Sequence, residues 1–220
     1  MDPSVSAATV GRLPAYLRAA IDLSASGLAS VSSERLSEEA AVHPATMRRD
    51  LASLDIAGTR GVGYDVKYLI VQISHVLGLN QEWPVVIMGS GNLGKALANY
   101  GGFSERGFPV AALVDIDAEL VGTTIGGVLV HAPPDLAELV DRENIMVGVI
   151  TTPPGVAQEA ADLLVSNGIR SILNFTPTAL ETPADVTVRS VDIATELQIL
   201  SFYRQRGLAA DVGTGVPLEP

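Results

Sequence analysis

The residues in this sequence best placed to do chemistry are glycines. Gly89-Ser90-Gly91-Asn92-Leu93-Gly94 follows the apolar run Pro84-Val85-Val86-Ile87-Met88 and opens a stretch of helical character. In that setting each glycine has a task. Gly89 permits a tight turn out of the strand, Gly91 lets a pyrophosphate approach the backbone, and Gly94 lets the helix pack close to the strand. The helix start offers unpaired amides and a positive dipole end to phosphate oxygens. Ser90, Asn92 and Leu93 complete the candidate phosphate loop. Asp115 ends the next apolar run, Val110–Val114, 21 residues beyond Gly94. A carboxylate there accepts hydrogen bonds from the adenine ribose and repels a 2′-phosphate, so the spacing favours NAD(H) over its phosphorylated relative. A glycine turn in an unrelated α/β fold, with a solvated acid at the strand end, is the plainer alternative; strand, helix and acid together outweigh it.

Two more turns follow apolar runs. Thr151-Thr152-Pro153-Pro154 comes after Met146–Ile150, and Asn174-Phe175-Thr176-Pro177 closes Ser171–Asn174. Open α/β sheets hold ligands at the carboxyl ends of their strands. Thr152, Pro153, Asn174, Phe175 and Thr176 are therefore candidates for the nicotinamide side, against the alternative of ordinary strand-to-helix turns. Helical stretches at Asn92–Tyr100, Asp135–Asp141 and Gly155–Ser166 separate the apolar runs. Strands alternating with helices predict an α/β domain with a doubly wound parallel (Rossmann) sheet.

The first 80 residues read differently. Leu13, Leu17, Ala20 and Ile21 recur at helical spacing, with Pro14 placed in a first turn. Ser33 is the expected cap of a short helix carrying Leu36, Ala40 and Ala41. Pro44 opens another, with Met47, Leu51 and Leu54 as its buried stripe. Helix, tight turn, helix is a helix-turn-helix outline. Thr46, Arg48 and Arg49 would then face a DNA major groove, where arginine pairs bidentately with guanine. Gly58-Thr59-Arg60-Gly61-Val62-Gly63-Tyr64 suits a tight hairpin, the wing of a winged helix, with Arg60 and Gly61 at a tip that reaches a minor groove. A small helical dimerisation domain with a solvated arginine pair is the competing reading. Val66, Ile70, Ile73 and Leu77 mark one more helix.

The expected division is 1–81 winged helix, 82–191 nucleotide domain, 192–206 C-terminal helix and 207–220 flexible tail. Composition bounds the function. The chain has 220 residues, no cysteine and a net charge of −11. Without cysteine there is no disulfide framework, thiolate zinc site or cysteine nucleophile, which suits a reducing cytoplasm. The start has no signal-peptide pattern, and no apolar run approaches the roughly 20 residues of a membrane span. The acidic balance argues against a non-specific nucleic-acid binder, though not against a specific one with a local basic face. No metal-ligand spacing is present.

From residue 10 to about 206 the sequence resembles the Rex-type redox-sensing repressors. The resemblance rests on Arg12-Leu13-Pro14 with Tyr16-Leu17-Arg18, on Arg48-Arg49-Asp50-Leu51, and on Gly58 to Tyr64. It continues in Gly91-Asn92-Leu93-Gly94, Tyr100-Gly101-Gly102-Phe103 and Ile172-Leu173-Asn174-Phe175, and closes with Val191-Asp192 and Leu200-Ser201-Phe202. It implies a homodimer that exchanges its C-terminal helix, NADH binding that disfavours the DNA-competent arrangement, a palindromic operator, and an arginine–aspartate–tyrosine switch falling on Arg18, Asp192 and Tyr100. An arginine–carboxylate pair with a phenol donor can form in one domain orientation and break in another.

The sequence departs from the family in places. Ser53-Leu54-Asp55-Ile56-Ala57 stands where an aromatic pair and a glycine are usual, and Asp55 adds a negative charge near the expected DNA face. Ser90 replaces an apolar residue, Thr176 an alanine, and Ile193 an aromatic. Two other functions compete: a Rex-like nucleotide binder with altered or lost operator binding, and an NAD-dependent oxidoreductase. The latter needs a positioned acid or base, and His43, His75 and His131 have no evident carboxylate partner at a strand end.

Overall fold

The computed structural model describes residues 5–206, so the expected tail at 207–220 lies outside the described residues. Two compact units divide near Asn80 and Gln81. The first is helical. α1 (Ala7–Ala25) starts on Ser6, whose hydroxyl accepts from Thr9 N. That early start puts Pro14 inside the helix rather than in its first turn. A two-residue strand β1 (Ser30–Val31) leads to α2 (Ser33–Glu39) and α3 (Pro44–Ala52). Ser32, not Ser33, caps α2 by accepting from Arg35 N at 3.1 Å, which leaves the Ser33 hydroxyl available elsewhere. His43 caps α3, with Pro44 at its first position as expected. β2 (Tyr64–Asp65) pairs antiparallel with β1 and runs into α4 (Val66–Val76).

Leu13, Tyr16, Leu36, Met47, Leu51, Leu69 and Ile73 are fully buried and interlock α1 to α4 around one core. Gly58–Tyr64 forms the expected tight turn. Thr59 and Gly63 exchange backbone hydrogen bonds of 2.7 and 2.8 Å around Arg60–Val62. Gly63 has φ +95°, and a Cβ there would lie 2.1 Å from the Val31 carbonyl oxygen, so only glycine fits.

The second unit is a seven-stranded sheet: β3 (Val85–Met88), β4 (Val110–Val114), β5 (Thr124–Ile125), β6 (Val128–His131), β7 (Val147–Ile150), β8 (Ser171–Asn174) and β9 (Thr187–Ser190). The order is β5-β6-β4-β3-β7-β8-β9, and every pair except β5–β6 is parallel. Setting aside the short hairpin strand β5, this is the 3-2-1-4-5-6 order of a dinucleotide-binding sheet. Central β3 is wholly buried, as its unbroken apolar run predicts. α5 (Asn92–Ala98), α6 (Leu136–Glu143) and α7 (Ala157–Ser166) are the crossovers, within a few residues of their expected bounds. β5, β6 and β9 are strands that the sequence pattern does not mark: Thr-Val-Arg-Ser in β9 is a half-polar edge, and β5 is too short for a pattern. α8 (Ile193–Arg206) follows β9 and crosses the division after Phe202. No side chain of α8 is buried, and Ile193, Leu197 and Leu200 are each more than half exposed.

Candidate functional site

The chain reverses direction across the sheet at β3, with β4 on one side and β7 on the other. Such a switch point leaves a crevice at the carboxyl ends of the strands. The glycine loop sits there. Gly89 has φ +99°, and a Cβ on it would come within 3.0 Å of Thr152 N. A Cβ on Gly94 would lie 2.0 Å from the Gly89 carbonyl oxygen, so helix and loop are in direct backbone contact. At Gly91 a Cβ meets nothing within 4 Å. The first and third glycines are thus demanded by packing and the second faces open space, the pattern of a loop that receives a phosphate. Gly91 also caps α5 without a side-chain bond to its first amides.

Asp115 lies just past β4 and ties the loop down. Its carboxylate accepts from Ser90 N at 2.5 Å and from Asp117 N at 3.0 Å. It remains half-buried, with acceptor capacity left on both oxygens. From β7, the Thr151 hydroxyl donates to the Gly89 carbonyl at 2.7 Å. Sequence reasoning missed this strut; a hydroxyl directly after the strand facing the glycine loop was the available signal. Two buried side-chain oxygens in this neighbourhood, Ser90 Oγ and Thr152 Oγ1, have no hydrogen-bond partner. An unpaired buried hydroxyl costs about 1–3 kcal/mol, so both are donors waiting for an acceptor. The residues present therefore fit a phosphate-bearing nucleotide. Pro153 is exposed beside them.

The turn after β8 is closed on itself. Asn174 is fully buried; its side-chain oxygen accepts from Thr176 N and Thr176 Oγ1, and its amide donates to the Thr178 carbonyl at 2.9 Å. Asn174 and Thr176 thus spend their polar groups on holding the turn, and Phe175 packs into the sheet core.

Of the expected switch residues, Arg18 lies exposed on α1 in the first unit, and Tyr100 and Asp192 belong to the second. The Tyr100 ring stands edge-on to Phe103, and its hydroxyl accepts from Arg106 Nη1 at 3.3 Å. Asp192 caps α8, accepting from Ala194 N at 2.9 Å and Thr195 Oγ1 at 3.0 Å. These bonds hold its carboxyl below the ordinary range, the Thr195 hydroxyl most strongly.

On the first unit, α3 turns Met47, Asp50 and Leu51 inward and leaves Arg48 and Arg49 exposed, with Thr46 half-buried. Arg60 and Gly61 are exposed at the wing tip. Residues 32–34, Arg48 and 58–64 line a concavity of about 530 Å³ between α2, α3 and the wing. Asp55 adopts φ +57°, a left-handed position that aspartate tolerates and glycine prefers, while Ile56 is buried.

Behind α3 lies a cluster the sequence did not reveal. Asp50 accepts from Arg12 Nε at 2.6 Å, Arg12 Nη2 at 2.8 Å, Tyr16 Oη at 2.7 Å and Thr9 Oγ1 at 3.1 Å. Burial alone would raise the Asp50 carboxyl, but the bonds from Arg12, Tyr16 and Thr9 more than offset it and hold it below its ordinary value. Burial, and then the Asp50 bond, push the Tyr16 phenol up.

Comparison with known proteins gives this geometry a family. Residues 80–178 match the family described as "CoA binding domain", and residues 4–52 the one described as "Putative DNA-binding protein N-terminus". The redox-sensing transcriptional repressor Rex of Streptomyces griseus is 54% identical over 93% of this chain and 81% of its own length. That of Desulfitobacterium hafniense is 44% identical over 89% of this chain and 93% of its own. Crystal structures of the Rex-family repressor RSP are similar to this chain. The complex with NAD+ and operator DNA gives a TM-score of 0.86 at 35% identity, covering 92% of this chain and 93% of that one. The NADH complex gives 0.83 at 34%, covering 92% and 95%. The relatives that carry the match are repressors rather than enzymes, and among the described residues no group of side chains forms a metal cluster and no helix is long and apolar enough to cross a membrane. The chain belongs to the Rex family of redox-sensing transcriptional repressors.

Proposed function

We propose that this chain represses transcription as a cytoplasmic homodimer, binding a palindromic operator through residues 1–81 and reading the NADH/NAD+ ratio through residues 82–191, with NADH releasing the DNA. One observation carries the nucleotide half: Ser90 Oγ and Thr152 Oγ1 are buried donors without acceptors beside a loop whose Gly91 faces open space. Gly89 to Gly94 would hold the pyrophosphate against backbone amides, and Asp115 would take the adenine ribose through its unused lone pairs. Thr152 and Pro153, with the turn Asn174–Thr176, would border the nicotinamide. NAD(H) carries a redox state to this site; no side chain is asked to move a hydride.

In the DNA half, Arg48 and Arg49 would meet the major groove with Thr46, and Arg60 with Gly61 the minor groove. The net charge of −11 does not oppose this. Residues 1–80 contain seven Lys/Arg and eight Asp/Glu, a net of −1, so −10 belongs to the remainder. The exposed apolar residues of α8 suit exchange onto a second copy, and Arg18, Tyr100 and Asp192 would form the switch between the two DNA-binding states.

The test is fluorescence anisotropy on a palindromic Rex-type operator duplex, at fixed salt because phosphate contacts make affinity steeply salt-dependent. Preference for operator over random DNA, lost with NADH and kept with NAD+, supports the reading. Nucleotide binding without operator preference would mean that the DNA half has diverged, and binding of neither would overturn the proposal.

A further inference from the structure

The exposed arginine on α3 is not a free probe. Arg48 Nη1 donates to Glu34 Oε1 at 3.1 Å and to Ser33 Oγ at 3.2 Å. Ser33 in turn donates its hydroxyl hydrogen to Glu34 Oε1, also at 3.1 Å. The three groups close a ring at the edge of the concavity between α2, α3 and the wing. Both bonds are made by Nη1. The edge formed by Nε and Nη2 takes no part, and that edge is one of the two forks with which a guanidinium spans the two acceptors of a guanine.

We propose that Ser33 and Glu34 are positioning residues that fix the base preference of Arg48. The inference rests on the repressor reading above and names the residues behind its sequence specificity. An unheld arginine on an exposed helix face reaches phosphate oxygens as readily as base edges, and phosphate contacts carry no sequence information. Anchoring one nitrogen directs the free edge along a fixed line.

The anchor is itself fixed. Ser33 and Glu34 are in the first turn of α2, which Ser32 caps, and α2 is locked to α3 through Leu36 and Met47 in the core. Glu34 is ionised: a bond from its own backbone amide, then the Ser33 hydroxyl and the Arg48 charge, hold its carboxyl below the usual range. The pair is solvent-exposed, with side chains 53% and 59% accessible. Pairs so exposed add little to stability. A negative charge facing a polyanion also works against binding in general. The combination serves discrimination rather than affinity.

That gives the test a signature a structural role does not share. Wild type, Glu34→Gln, Ser33→Ala, Arg48→Ala and the Glu34→Gln/Arg48→Ala double variant are used to enrich duplexes from a random-sequence pool. Selected duplexes, each of their single base-pair substitutions and a random duplex are then titrated by anisotropy over a salt series. Glu34→Gln is expected to bind random DNA several-fold more tightly, with a log–log salt slope steeper by about one as Arg48 turns to phosphate. It should also lose about tenfold in discrimination at one base pair per half-site. Arg48→Ala should lose discrimination at that same base pair, the double variant should lose no more, and Ser33→Ala should fall between. A Glu34→Gln variant that keeps the wild-type base-pair profile overturns the inference alone. A wild type that enriches no sequence overturns the repressor reading and the inference with it.

Discussion

Asp50→Ala should strongly destabilise the first unit while leaving the second intact. The substitution deletes the acceptor of four hydrogen bonds and strands two groups. The Arg12 side chain is 14% exposed and Tyr16 is wholly buried. Breaking one partner of a buried ion pair costs about 3–5 kcal/mol, and the lower end applies here because Arg12 retains some access to water. The stranded phenol adds about 1 kcal/mol. The total, about 4 kcal/mol, compares with roughly 4–12 kcal/mol for the whole stability of a unit of this size. In far-UV circular dichroism of the full chain, the transition of the first unit should fall by more than about 10 °C, with that of the second unmoved. Operator binding should go with it and nucleotide binding should stay. Removing both charges, as in Arg12→Met/Asp50→Leu, should restore most of the loss, because paired apolar replacements of buried ion pairs are often neutral. A shift below about 1 kcal/mol in Asp50→Ala, or a double variant as unstable as the single, would refute this account of the cluster.

Three further outcomes are expected. The same cluster sets a pH window: the depressed Asp50 carboxyl contributes stability above its unfolded pKa near 4 that is lost as pH falls through the folded value, and the raised Tyr16 phenol contributes stability below about pH 10 that is lost as pH rises. Unfolding across pH should therefore show a shallower acid limb in Asp50→Asn and a shallower alkaline limb in Tyr16→Phe. In the crevice, Gly91→Val should leave folding unchanged and weaken NADH at least tenfold by titration calorimetry, whereas Gly94→Ala should cost both folding and binding, since its Cβ meets the Gly89 carbonyl at 2.0 Å. Finally, if NADH weakens operator binding tenfold, about 1.4 kcal/mol, saturating operator must weaken NADH binding tenfold, and unequal factors would mean that the two ligands do not share one equilibrium.

What the sequence disclosed followed from period and punctuation. The apolar runs at Val85–Met88 and Val110–Val114 are strands because buried parallel strands need no polar face, and the glycine loop was recognisable because each glycine answers a separate steric demand. Pro44 marked the start of α3 correctly because proline fits a first helical turn. The misreadings have equally local causes. Adjacent serines at 32 and 33 offered two caps, and only the backbone geometry of Ser32 decides between them. Pro14 stands inside α1 because the helix already starts at Ala7, and the bonds of Arg12 and Tyr16 to Asp50, 38 and 34 positions away, leave no periodic trace. Asn174 and Thr176 share a strand end, and the bonds by which their side chains hold that turn are set by its backbone rather than by any spacing. Asp50 carries no sequence signal of its cluster, because Thr9, Arg12 and Tyr16 lie 41, 38 and 34 positions away.

α3 carries polar clusters on opposite faces, and together they constrain how a signal can reach DNA. Inward, Asp50 bolts α3 to Arg12 and Tyr16 of α1; outward, Arg48 is pinned to α2 by Ser33 and Glu34. α1, α2 and α3 are also sealed by one core. Close-packed cores do not deform continuously. Arg18 lies on α1, two residues beyond Tyr16, so a force on Arg18 moves the whole winged helix as one body rather than bending α3 within it. A switch that engages Arg18 would therefore act by changing the spacing or angle between the two DNA-binding halves of a dimer, leaving the base preference of each half intact. NADH should then lower affinity for every operator variant by the same factor, and the base-pair profile measured with NADH should parallel the one measured without it. A profile that changes shape with NADH would place the switch inside the winged helix and break this argument.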